Sequence, residues 1–136
     1  MYKYSFDNLN LAVAVSKSEL EGLMTGRQTA VLKNTRTPFK GGLKCYLYET
    51  KSGGGRGCFV AIGELEHATF YSSAVGMYAD CGMTQEEAEK KITYRHGGII
   101  FYIKNVVMVE DPETLSHDIR LQFLIDPPKT VTIMKK

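Results

Sequence analysis

The chain has 136 residues, 43% of them hydrophobic and 24% charged, which suits one folded domain with a real core and excludes a disordered polyelectrolyte. No apolar run approaches the roughly 20 residues of a membrane span, and MYKYSFDNLN lacks the apolar stretch of a secretory leader. Net charge is +2, but residues 1–60 carry +5 and residues 61–136 carry −3, which points to an anionic partner at the first half. Three cysteines, Cys45, Cys58 and Cys81, are too few and too odd for a disulfide framework and suit a reducing cytoplasm.

Residues 1–8 are polar and aromatic without a period, so they read as a short edge strand or a loose arm. Asn10 to Val15 is a short apolar strand. Ser16 and Glu19 have the spacing of a capping box, Leu20, Leu23 and Met24 form one helical stripe, and Gly26 suits a C-cap. Gln28 to Asn34 alternates as a strand with one face on the core, Ala30 and Leu32 pointing opposite to Thr29, Val31 and Lys33. A turn-rich loop with Arg36 and Lys40 leads to a second strand, Leu43 to Thr50. There Leu43, Cys45 and Leu47 share one face, and Lys44, Tyr46 and Tyr48 the other.

KSGGGRG (residues 51–57) reads as a flexible hairpin. It lacks the Lys-Ser/Thr and following helix of a P-loop, although Lys51 and Arg56 are placed to touch a phosphate. Cys58 to Thr69 is a long strand that Gly63 should bend. Residues 71–83 read as an irregular connection. Thr84 and Glu87 form a second capping box, with Ala88 and Ile92 inward. Ile99 to Glu110 is the most strongly β-forming run. Asp111-Pro112 stops it, Ile119 to Ile125 fits a strand or a short helix, and Thr130 to Met134 alternates as a last strand. This inventory predicts an α+β protein, a small mixed, mainly antiparallel β-barrel with two or more short helices. One domain fills residues 1–136, its core spanning about 10–134.

The order of motifs resembles the ASCH domain of the PUA-like superfamily. GRQTAVLK (residues 26–33) after the first helix is similar to that family's Gly-x-Lys-Thr-x-Glu-x-Arg signature. YLYETK and GCFVAIGELE resemble its tyrosine strand, glycine hairpin and Gly-Glu strand. CGMTQEE followed by IIFYI, and Pro112 with Leu115 and Pro127-Pro128, complete the pattern over most of residues 10–134. The resemblance implies a PUA-like barrel with a cleft beside the signature strand and a role in binding RNA. Some relatives hydrolyse acylated cytidine with a lysine and a threonine of that strand and a distant glutamate. Here the lysine position is Gln28 and the threonine position is Val31, so neither base nor nucleophile carries over.

The expected ligand is therefore RNA or a nucleotide-like molecule. It would be held by Arg27, Gln28, Thr29, Lys33, Lys44, Tyr46, Tyr48, Lys51 and Arg56, with cations on phosphates and tyrosines stacking on bases. An alternative is a small hydrolase of modified nucleosides, or a ribonuclease, with a rebuilt site around Glu64 or His67. Glu64 follows the Gly63 bend and is the catalytic candidate to watch. A third reading is a protein-interaction module. No cofactor is expected. His67, His96 and His117 lack ligand spacing, the cysteines form no CxxC, and no metal site is predicted. Cys45 and Cys58 read as core positions; Cys81, before the second helix, reads as the more exposed thiol.

Overall fold

The computed structural model describes residues 3–35, 39–72, 75–92, 98–123 and 125–135. Six strands form one sheet: β1 (Leu9–Val15), β2 (Ala30–Lys33), β3 (Lys44–Glu49), β4 (Cys58–Phe70), β5 (Ile99–Met108) and β6 (Val131–Lys135). Their order is β2-β5-β4-β3-β1-β6, with β1 and β3 parallel and the other neighbours antiparallel. Val31 of β2, at one end of that order, belongs to a core cluster against which Val131 of β6, at the other end, also packs. Only a strongly curled sheet lets its two margins share one core, and the result is a half-barrel. Its margins β2 and β6 are not paired with each other among the described residues.

Helix α1 (Lys17–Thr25) plugs the inside of the curl with Leu20 and Leu23. Its capping box is complete: Ser16 Oγ accepts from the Glu19 amide, and Glu19 Oε1 accepts from the Ser16 amide. Gly26 closes the helix at φ 79°, a left-handed conformation that costs other residues a Cβ clash. Met24, expected on the inward stripe, is exposed.

Outside the curl, a short turn of helix α2 (Met77–Asp80) and α3 (Gln85–Lys91) cover β2 and β5, burying Ala30, Leu32, Cys81, Ala88 and Ile100 together. Strand β2 is thus buried on both faces, where alternation had predicted one. The Thr84–Glu87 capping box of α3 forms as read from the sequence.

Strand β5 ends at Met108, ahead of the expected stop, and helix α4 (Pro112–Phe123) begins at that stop and takes the helical of the two readings as far as Phe123. Asp111 caps it, Oδ1 accepting from the Thr114 amide and Oδ2 from its hydroxyl, and Pro112 occupies the first helical position, where no amide partner is needed. Leu115 and Ile119 of α4 pack with Tyr46, Phe59, Met134 and Phe6 on the outer face of the sheet. The N-terminal arm is pinned, not loose: the buried Asp118 carboxylate accepts from the amides of Lys3 and Tyr4.

Candidate functional site

Two irregularities in the β4–β5 ladder shape the main cleft. From Ile62↔Val107 to Glu64↔Lys104, β5 spends three residues against two on β4. From Leu65↔Ile103 to His67↔Tyr102 the excess is on β4, at Glu66. The first bulge holds Asn105 at φ 53°, the one non-glycine residue with positive φ among those described, and lies at Gly63, as the bend predicted. Gly63 has no room for a side chain: a Cβ there would sit 2.7 Å from Ile103 Cγ2. Bulges turn side chains out of strict alternation. Here they aim Glu66, His67 and Asn105 into one concavity.

That concavity is a cleft of about 550 Å³. Leu23, Ile103 and Val106 give it an apolar floor; Gly26, Gln28 and Thr29 form one wall; His67 and Tyr102 face them, with Lys104 and Asn105 at the end. The His67 and Tyr102 rings stack at 4.4 Å and 15°. Tyr102 is fixed in turn, its hydroxyl donating to Asp80 Oδ2 at 2.6 Å. Burial and that hydrogen bond raise the Tyr102 pKa, so the phenol stays protonated. Asp80 also accepts the Thr29 amide through its backbone carbonyl, and Thr29 accepts from the Ile103 amide, so the cleft walls are tied together.

Of the residues proposed from the sequence, Gln28 and Thr29 line this cleft. Gln28 is buried, donates from Nε2 to the Ala30 carbonyl at 2.9 Å, and fills a slot left by two glycines. A Cβ on Gly22 would lie 2.1 Å from Gln28 Oε1, with Gly82 close on the other side. Gly22→Ala is therefore expected to expel the Gln28 side chain and destabilise the fold by about 1–3 kcal/mol, read as a lower urea midpoint. An unchanged midpoint would mean that the slot yields.

The basic strand is not a basic surface. Lys33 is buried, and its Nζ lies 3.0 Å from Glu19 Oε1; Lys91 Nζ reaches Glu19 Oε2 at 3.5 Å. Burial would raise the Glu19 pKa, but Lys33, Lys91 and the Ser16 amide together hold it below the ordinary value. Burial lowers the Lys33 pKa, and the Glu19 charge offsets this only in part. Lys33 cannot capture a phosphate from this position. Arg27 is exposed on the α1 side, donating to the Ser18 carbonyl.

Lys44 is exposed and 4.0 Å from Asp7, and Arg56 is 3.6 Å from Glu49. Lys51 lies along the hairpin against Gly57. None of these three lines the cleft. Tyr46 is fully buried under α4 and Phe6, so it cannot stack on a base; burial, with the Asp7 charge, pushes its hydroxyl up to about 12. Tyr48 is half-buried edge-on against Phe59. Glu64 is exposed between Lys44 and Lys104 in the ladder and lies outside the main cleft, which Glu66 enters instead. Val31 points into the core, so even a hydroxyl at that position would not face a ligand. Arg36 and His96 lie outside the described residues.

Cys81 is buried rather than exposed, and burial pushes its thiol up to about 12, as it does for Cys45. Neither is a reactive thiolate near neutral pH. Among the described residues no cluster of His, Cys, Asp or Glu is arranged to hold a metal ion.

The curled sheet, its plugging helix and the cleft beside the GRQT turn make an α+β half-barrel of the PUA-like kind. More particularly, the fold is that of the ASCH proteins. The ASCH protein from Zymomonas mobilis superposes with a TM-score of 0.70 at 12% identity, covering 96% of this chain and 90% of that one. Two single-substitution variants of the same protein, one Tyr to Phe and one Ser to Ala, give 0.71. They do so at 9% and 12% identity, covering 93% and 97% of this chain and 91% and 92% of theirs. No protein-family model and no curated protein matches the sequence. No helix among the described residues is long and apolar enough to cross a membrane.

Proposed function

We propose that this is a single-domain cytoplasmic protein that binds single-stranded RNA or a nucleotide-like ligand in the cleft between the Gly26–Thr29 turn and the His67–Tyr102 pair. The observation that carries this reading is the pair itself. It is a stacked aromatic platform, rigidified by Asp80, on an apolar floor with a few polar groups at its rim. Lys104 at the cleft end supplies the cation for a phosphate. The side chain of His67 is 53% exposed, which leaves ring surface for a base. The ASCH fold supports the reading by analogy alone.

Fluorescence anisotropy against short single-stranded RNA, at low and high salt, tests it. Wild-type protein should bind at low salt and weaken as salt rises. His67→Ala should lose about 1–3 kcal/mol of binding, the usual cost of removing a stacking ring, and Lys104→Glu should bind more weakly with a shallower salt dependence. Absence of binding by the wild type at low salt would remove the proposal.

A further inference from the structure

We infer that the cleft selects a nucleobase whose exocyclic amino group neighbours an unprotonated ring nitrogen, adenine or cytosine, with Glu66 accepting from that amine and Asn105 pairing with the neighbouring edge position. This rests on the reading of the cleft as a nucleotide site.

A ligand of phosphates is repelled by a carboxylate, yet Glu66 lines the cleft with its side chain 54% exposed and not consumed by a salt bridge to lysine or arginine among the described residues. The adjacent His67 has its Nδ1 3.7 Å from Glu66 Oε1. Glu66 is there because β4 carries one extra residue at that point, so the ladder has given up regular pairing to turn it inward. A carboxylate helps such a ligand only if it meets a donor. Adenine and cytosine offer an amino group for it to accept from; uracil's single edge donor, N3–H, lies between two carbonyl oxygens that repel a carboxylate.

Asn105 gives the second half. It sits in the left-handed region at φ 53° inside a strand, a conformation that asparagine tolerates better than other non-glycine residues. The β5 bulge that imposes it brings the amide to the same cleft end as Lys104. An amide offers one donor and one acceptor side by side. It therefore complements the ring nitrogen and amine of adenine or cytosine, while Glu66 takes the remaining amine hydrogen.

The test compares binding of short adenine, cytosine and uracil oligoribonucleotides by anisotropy. Wild type should prefer adenine or cytosine over uracil by about tenfold or more, the discrimination of one good edge contact. Glu66→Gln turns an obligate acceptor into a group that can also donate, and it should bring uracil to near parity. Asn105→Gly keeps the left-handed backbone without strain, so it should fold at least as stably as wild type while losing affinity for the preferred base. Equal wild-type affinity for all three bases, or an unchanged preference in Glu66→Gln, would overturn this inference and leave the nucleotide site standing. Failure to bind any of the three would remove both.

Discussion

Lys33→Met is expected to destabilise the protein by about 3 kcal/mol or more, a loss read directly in the urea midpoint. The substitution keeps length and apolar bulk but strands Glu19, whose side chain is only 14% exposed, with Lys91 at 3.5 Å as its remaining cation. A buried carboxylate without its partner is far costlier than a buried pair removed together. The double variant Glu19→Gln/Lys33→Met should recover most of the loss. Glutamine still accepts the Ser16 amide, so the cap survives while the charge is gone. A single variant within about 0.5 kcal/mol of wild type would refute the buried pair and return Lys33 to the list of ligand cations.

The same pair sets an acid limit. Because Glu19 is held below its ordinary value of 4.5, the folded state binds fewer protons than the unfolded state just below that pH. Its contribution is fully present above 4.5 and is lost as pH falls through the folded value. The Glu19→Gln/Lys33→Met variant should show a shallower acid-side loss of stability than the wild type.

Local signals in the sequence translated well into structure. Ser16 with Glu19, Thr84 with Glu87, and Gly26 each act within one helical turn, so spacing alone identifies them. Asp111-Pro112 was equally local: its reading as the end of a strand holds, since β5 ends at Met108, while its second role as the start of α4 went unread. Strand parity correctly placed Lys44, Tyr46 and Tyr48 on one face. It could not tell that α4 and Phe6 cover that face. Glu19 is recognisable as a cap, but its bonds to Lys33 and Lys91 span 14 and 72 residues and arise only from the curl of the sheet. The pairings of Lys33, Lys44 and Arg56 with Glu19, Asp7 and Glu49 lie inside the first half, so the +5 balance of residues 1–60 could not reveal which of its cations are already engaged. The Gly63 bend was legible, but the side chains that two successive bulges deliver to the cleft were not.

Tyr46→Ala is expected to cost about 3–5 kcal/mol, the usual cost of emptying a large aromatic site in a core. The ring is 1% exposed, meets Phe6 edge-on at 5.2 Å, and closes the layer between the sheet and α4. Tyr46→Phe keeps that ring and should leave the urea midpoint within about 1.5 kcal/mol of wild type, with RNA affinity unchanged. The pair of variants separates two roles for this sheet face. If Tyr46 stacked on bases, the alanine variant would lose binding at unaltered stability. If Tyr46 is core, stability falls first, and binding follows only as the folded fraction falls. His67→Ala should show the opposite pattern, with affinity lost and the midpoint retained, because His67 lies at the surface of the cleft rather than beneath a helix. Loss of binding in Tyr46→Phe with an intact midpoint would move the ligand from the β4–β5 cleft to the face under α4.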